Sequence, residues 1–305
     1  MTESICLVII FNHRYDDNIP KLRTIYGDRF SKMRFLVPFY NGNDPEVIPV
    51  FECSYQFEGF LIQAFDKLIK VGADYYFFIA DDLILNPAFD ENNILSCMRG
   101  KNKKALITSI QMLNSEGMFA WSHSRYSSKP FRHKATQWKQ SLVDYDVAML
   151  KFAEFFGSAY PEKYIDAFFK PHVGESHEHF MESIEQFKKS NNGTLDIPYP
   201  LARGYSDIFV LNKDVLYEVS YTCGIFSSMN LFVEIGLPTA LVLNIQKEHI
   251  TLLGENENYR CQAMWTVEEV EQFANEAEYS YKKLLEIWDD KCGFVHPVKL
   301  SQWDV

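Results

Sequence analysis

Residues 75–87, YYFFIADDLILNP, constrain this chain more than any other stretch. Residues 75–79 are apolar without alternation, the pattern of a strand buried on both faces rather than one lying half in water. The run stops on Ala80-Asp81-Asp82, so two adjacent carboxylates cap the strand's C-terminal end. In open α/β sheets, ligands sit along that edge. Acids set against a core strand are costly unless a cation meets them. Mg²⁺ is usually held by one or two carboxylates plus substrate phosphates, so a divalent ion carrying a diphosphate is one reading. A helix N-cap or solvated turn before Asn86-Pro87 is the other, and the acids alone leave both open.

The preceding chain supplies the context. Residues 5–11 (ICLVIIF) read as a buried strand ending in Asn12-His13-Arg14, and residues 19–26 as a helix returning the chain. Residues 34–39 (RFLVPF) predict a second strand closed by the turn Tyr40-Asn41-Gly42-Asn43, and 47–53 a short extended piece. Residues 57–71 carry apolar side chains at a helical period, with Gly72 placed to end the helix. Residues 106–112 and 117–123 predict further strands. This alternation indicates an α/β nucleotide-binding sheet. There is no GxGxxG after the first strand and no GxxxxGK[ST], so neither a dinucleotide fold of the usual kind nor a P-loop NTPase is expected.

Size and charge narrow the class. The 305 residues can bury a proper core, and 47% hydrophobic content with 25 Phe and 17 Tyr marks a globular chain. Acids outnumber Lys plus Arg by 41 to 30, so a basic nucleic-acid footprint, and with it a nucleic-acid partner, is not expected. No apolar run approaches the ~20 residues of a membrane span, so no integral membrane segment is expected. The N-terminal apolar run lacks a basic leader and reads as a first strand rather than a signal peptide. The six scattered cysteines, without CxxC, indicate reduced thiols and a cytoplasmic protein. Asn192-Gly193-Thr194 matches a glycosylation acceptor but reads as a turn in that setting.

Residues 124–200 differ in character. A polar, basic stretch at 125–139 (Arg125, Lys129, Arg132, His133, Lys134, Lys139) precedes helical patterns at 144–156 and 177–189. Together they predict a helical insertion on the sheet. His172, His177 and His179 suggest a metal, but Ser176 ahead of Glu178 and His179 reads as a helix start. Beyond residue 200, Gly204-Tyr205-Ser206-Asp207 leads into a strand at 208–211, and Asn212-Lys213-Asp214 opens a helix to about 219. Residues 229–235 place Glu234 in an apolar setting before Gly236-Leu237-Pro238, and 239–243 (TALVL) predict another strand. Thr266-Val267-Glu268-Glu269 is a capping box opening an amphipathic helix to about 290, which Cys292-Gly293 breaks.

A helix, then a buried strand ending in acids, then an apolar run and Pro, resembles the metal-binding region of A-type-fold glycosyltransferases. Their pattern is Asp-x-Asp and variants of it; here Ala80 stands where the strict pattern has its first acid. The helix start Phe57-Glu58-Gly59, the segment 204–207, and the tail His296…Lys299…Trp303 resemble the same group. The tail is similar to the closing segment of glycogenin-like retaining members, where a His completes the metal shell and a Lys reaches the diphosphate.

The resemblance implies a Rossmann-like mixed central sheet flanked by helices, in a single catalytic domain over 1–305. Residues 1–123 would form the nucleotide-sugar half, 124–200 the helical insertion, and 201–305 the acceptor side and tail. It implies a metal-dependent, hexosyltransferase-like enzyme moving sugar from a UDP- or GDP-sugar to a saccharide acceptor, as in polysaccharide or glycoconjugate synthesis. Asp82, Asp81 and His296 would hold Mn²⁺ or Mg²⁺, imidazole favouring Mn²⁺. Asn12, His13, Tyr40, Asn41, Asp81 and Lys299 would contact the nucleotide, and Glu234 and Asp207 would face the acceptor as candidate bases. A sugar-phosphate nucleotidyltransferase should carry a Gly-rich, Arg-bearing first loop, which Asn12-His13-Arg14-Tyr15 is not. A haloacid-dehalogenase-type phosphatase needs its aspartates after the first strand. A non-catalytic carbohydrate-binding protein predicts that Asp81, Asp82 and His296 lie apart.

Overall fold

In a computed structural model, which describes residues 3–113, 127, 129–132, 138–163, 176–190, 193, 196–255 and 258–305, the uniformly apolar runs become the inner strands of a sheet. They are β1 (Ile5–Ile10), β2 (Met33–Pro38), β3 (Val47–Val50) and β4 (Tyr75–Ala80). Helices α1 (Asn18–Tyr26) and α2 (Glu58–Ile69) make the crossovers, and Gly72 leaves α2 at φ +67°. The short β5 (Ile84–Leu85) and α3 (Ile94–Cys97) lead to β6 (Ala105–Ile107). The expected strand at 106–112 is in fact two, because β7 (Gln111–Met112) leaves the main sheet to pair with β8 (Ala202–Arg203). The expected strand at 117–123, together with Arg125, His133, Lys134, His172, Asn192 and Thr194, lies outside the described residues.

Helices α4 (Lys129–Arg132), α5 (Tyr145–Phe156) and α6 (His177–Ser190) fill the described part of 124–200. The Ser176 hydroxyl accepts from the His179 amide, so this His-bearing stretch is a capped helix start. Next come β9 (Ile208–Asn212), α7 (Lys213–Ser228), α8 (Val233–Asn244) and β10 (Ile250–Leu252). The chain closes with β11 (Arg260–Ala263), α9 (Val267–Glu276), α10 (Tyr281–Ile287) and β12 (Cys292–His296).

Seven strands hydrogen-bond in the order β10-β6-β9-β4-β1-β2-β3. β9 runs antiparallel to both neighbours while the others share the direction of β4, so the sheet is mixed, as expected. Alternate side chains feed two cores. Cys6, Val8, Tyr76 and Phe78 join α2, α7 and α8 on one face; Leu7, Ile9, Phe77 and Ile79 join α1, β5 and β12 on the other. Across the antiparallel pair, Phe78 and Phe209 stack at 4.6 Å. Burying a side chain of that size contributes roughly 1.5–3 kcal/mol, so the strand under Asp81 and Asp82 is firmly held.

Two expectations fail for readable reasons. Residues 239–243 are not a strand but the second half of α8, buried almost throughout its length. A helix buried on all sides shows no period, so its apolar run is indistinguishable from an inner strand. Pro238 also reads as a break, yet it lies inside the helix. Lacking an N–H, it leaves the Glu234 carbonyl without its i+4 donor, and the Gly204 amide takes that place at 2.9 Å. A Cβ on Gly204 would stand 2.0 Å from the Ser109 carbonyl oxygen, so only glycine fits this approach.

The helix expected to reach 290 is two helices. Glu278 and Tyr279 adopt φ +52° and +51°, turning the chain so that the backbone of Tyr279 and Tyr281 bonds to Asp304. Thr266 and Glu269 do form the capping box. The expected short helix after Asn212 runs on to Ser228, and Cys292-Gly293, expected as a helix break, opens β12, which pairs with both β11 and β5. Among the described residues, no helix is long and apolar enough to cross a membrane.

Candidate active site

β4 delivers Asp81 and Asp82 to the C-terminal edge of the sheet, and β12 brings the far end of the chain to the same point. The Val298 amide donates to the Asp82 carbonyl at 2.6 Å, fixing the tail over the acid pair. His296 Nε2 then stands 3.2 Å from Asp82 Oδ1. The two adjacent acids have different settings. Asp81 is 4% exposed and accepts the Asn12 amide at 3.1 Å; burial, then the neighbouring Asp82, raises its pKa. Asp82 is more open, and the Asn12 side-chain amide donates to its Oδ2 at 3.5 Å.

Tyr205 completes the arrangement, and beyond its place in 204–207 no local pattern marks it. Its ring stacks on Phe294, and its hydroxyl lies 2.7 Å from His296 Nδ1. The same hydroxyl hydrogen-bonds the Asp207 carboxylate. An ionised carboxylate only accepts, so Tyr205 donates to Asp207 and accepts from Nδ1–H. Nε2 is thereby turned to Asp82, and something positive must sit between them: a proton making imidazolium, or a bound cation. Burial alone would lower the His296 pKa, but Asp82, then Asp207 and Asp81, hold it above the usual value. Burial raises the Asp207 carboxyl to about 6, His296 opposing and Asp82 reinforcing the shift.

Glu234 lies in the first turn of α8, beside Arg203. Burial, then Asp207, pushes its pKa well up, while Arg203 pulls it back. Asp207 and Glu234 therefore sense each other, so the structure gathers Asp81, Asp82, His296, Asp207 and Glu234 around one edge of the sheet. A binding module in which Asp82 and His296 stood apart is not what is seen.

The residues after β1 and β2 form a separate rim. Arg14 donates to Asn41 Oδ1 at 2.7 Å and lies over the Tyr40 ring, bridging the two loops. The Tyr40 hydroxyl accepts the Asp44 amide, and the exposed His13 packs edge-on to Tyr15. The sequence reading missed the exposed aromatics here. Phe39, 59% exposed at φ +54°, meets Phe51, 64% exposed, edge to face. A bulky residue at positive φ is strained, a condition that gathers at ligand sites. Trp265, 67% exposed, stands edge-on to Tyr205 on the opposite flank. Lys299 is exposed and lines a cavity of about 160 Å³ with Glu271, Tyr279 and Trp303.

The donor set suits a cation in kind. Among the described residues, the buried Asp82 Oδ1 faces His296 Nε2 and no other donor, and imidazole plus carboxylate oxygen is a set that Mn²⁺ accepts. Among the described residues, no three His, Cys, Asp or Glu side chains already stand as a ready metal shell.

No protein-family model matches the chain, and neither does any curated protein. Solved structures do. The mannosyltransferase Ktr4p from S. cerevisiae in complex with GDP is 11% identical, covering 82% of this chain and 69% of that one at TM-score 0.35. Core-mannan synthase A from Aspergillus fumigatus in its Mn/GDP form is 8% identical, covering 81% and 72% at TM-score 0.38. Similarity at that level carries no inference about what this chain acts on.

Proposed function

We propose that this protein is a glycosyltransferase that moves a sugar from a nucleotide-diphosphate donor to a saccharide acceptor, with a divalent cation at Asp82 and His296. The observation that carries the reading is the 3.2 Å approach of His296 Nε2 to Asp82 at the C-terminal edge of a mixed sheet. Ligands gather at that edge in open α/β folds.

Asp82 and His296 would hold the ion, with Asp81 behind them anchoring the Asn12 loop. When bound, such an ion neutralises charge on the departing diphosphate as a Lewis acid. The chain's own groups do the rest. Tyr205 fixes the ring of His296, and the rim from Asn12 to Asn41, with Phe39 and Phe51, offers flat and polar surfaces to a nucleoside. Lys299 supplies a mobile positive charge at the tail. Glu234 and Asp207, both with raised proton affinity, stand where a base could take the proton of an acceptor hydroxyl. Free thiols at all six cysteines fit a reducing, cytoplasmic setting.

The test is calorimetric titration of UDP and GDP, with and without Mn²⁺, on wild type and Asp82→Ala. Metal-dependent binding of one nucleotide that Asp82→Ala abolishes is expected. Binding of each nucleotide that is equal with and without Mn²⁺ and in both proteins sinks the proposal.

A further inference from the structure

At the sheet edge opposite Asp81 and Asp82, cations collect that the proposed reaction does not use. Residues 99–104 read Arg-Gly-Lys-Asn-Lys-Lys, four positive charges in six positions of a chain whose net charge is −11. The run enters β6 from the N-terminal end, and the 247–249 segment enters β10 beside it.

The loop is built rather than loose. The Lys104 amide donates to the His249 carbonyl, and the Asn212 amide to the Lys104 carbonyl, both at 2.8 Å. Thr251 Oγ1 donates to the Arg99 carbonyl, and Lys103 Nζ to the Glu248 carbonyl. Arg99 and Asn102 hold φ +54° and +64°. A Cβ on Gly100 would stand 2.5 Å from a Leu106 methyl, so the turn sits tight on the core. Strain of this kind at a non-glycine residue persists only where surrounding contacts enforce it.

These contacts surround a concave space of about 310 Å³ lined by Arg99, Lys103, Lys247, Thr251, Glu255 and Phe155. Lys247 lies over the buried Phe155 ring at 6.0 Å. Lys103 is satisfied by a carbonyl, and neither Arg99 nor Lys247 has a carboxylate partner within ion-pair distance among the described residues. Three cations thus face one lining carboxylate, Glu255.

We infer that this rear pocket is a second binding site, for a phosphorylated small molecule whose phosphate or diphosphate is gripped by Arg99, Lys103 and Lys247. Its concavity favours a small ligand over a flat macromolecular surface. The guanidinium supplies paired N–H donors and the lysines point charges. The hydroxyl of Thr251 and the ring of Phe155 leave one polar and one apolar wall for the rest of the ligand. The pocket is separate from the Asp82 edge, so its occupancy does not depend on the proposed transfer reaction.

Inorganic pyrophosphate, titrated calorimetrically without divalent metal, is the probe, on wild type, Arg99→Gly and Lys247→Gln. Arg99→Gly suits the left-handed backbone at that position, so an unchanged melting temperature certifies the fold. Each substitution should weaken pyrophosphate about tenfold, the worth of one charge-assisted contact. Asp82→Ala should leave it unchanged, which separates this site from the front edge. No binding at millimolar pyrophosphate, or equal affinity in all three proteins, overturns the inference. Co-sedimentation with phosphatidic acid and phosphatidylcholine vesicles distinguishes the phosphate's source. Vesicle binding displaced by pyrophosphate assigns the pocket to a lipid headgroup, and absence of vesicle binding to a soluble phosphate. Vesicle binding that pyrophosphate cannot displace counts against a small-ligand pocket.

Discussion

The imidazole of His296 faces the carboxylate of Asp82 at 3.2 Å, although Asp82 lies in the turn after the fourth strand and His296 ends the last strand. Only β12, clamped between β11 and β5, brings them together. The contact should be measurable without any ligand. In a double-mutant cycle of Asp82→Asn and His296→Gln, unfolded by urea with chelator present, a coupling of about 1 kcal/mol is expected. Additive losses mean that the two side chains do not interact in solution.

Tyr205 acts through His296. Replacing it with Phe leaves Nδ1–H and Asp207 without their shared hydroxyl, so the ring loses its fixed orientation. Mn²⁺ affinity should fall by roughly 10–100-fold, the usual cost of removing an outer partner of a metal-binding His. Mn²⁺ titration followed by electron paramagnetic resonance checks this directly. A lower melting temperature with unchanged Mn²⁺ affinity confines Tyr205 to a packing role.

Trp265 presents most of its indole to solvent beside Tyr205, on the flank away from the rim of Arg14, Tyr40 and Asn41. We expect it to stack on the acceptor sugar. Trp265→Ala should then raise the acceptor KM about tenfold, equivalent to about 1.4 kcal/mol of lost ring contact. Slow donor hydrolysis by water should stay at the wild-type rate. An acceptor KM unmoved by the substitution places the acceptor elsewhere.

Glu58 gives a pH dependence independent of the site. It is fully buried at the start of α2, its carboxyl packed on Gly236, and neither oxygen has a donor among the described residues. Burial, reinforced by Glu52, raises its pKa well above 4.5, so the folded state holds it protonated. Its contribution to stability is complete below the unfolded value of 4.5 and is lost as pH rises towards the folded one. The slope is at most about 1.4 kcal/mol per pH unit. Glu58→Gln removes that slope, so as pH rises above 4.5 the variant should gain on wild type in urea unfolding, by no more than about 1.4 kcal/mol per pH unit. Parallel stability–pH curves would show that Glu58 ionises in place.

Much of the framework was legible in local pattern. Unalternating runs marked β1, β2 and β4, a helical period marked α2, and Thr266 with Glu269 marked the start of α9, because each signal arises within one element. Asp81, Asp82, Asp207, Glu234 and His296 each stood out in the sequence as candidates, but nothing local to any of them showed that they meet at one edge of the sheet. Residues 239–243 misled because an all-buried helix has no polar face to set a period. Phe39 and Trp265 gave no signal because exposure is a property of the folded surface.

What the chain fixes by itself is a set of elements and the acids at the tip of β4, since covalent order and side-chain periodicity act over a few residues. That β9 runs against its neighbours, that Gly204 takes the carbonyl Pro238 leaves open, and that His296 meets Asp82 were decided by tertiary structure. Those outcomes depend on strand pairing and on which buried polar groups find partners. Such choices are settled only when distant segments compete for the same space.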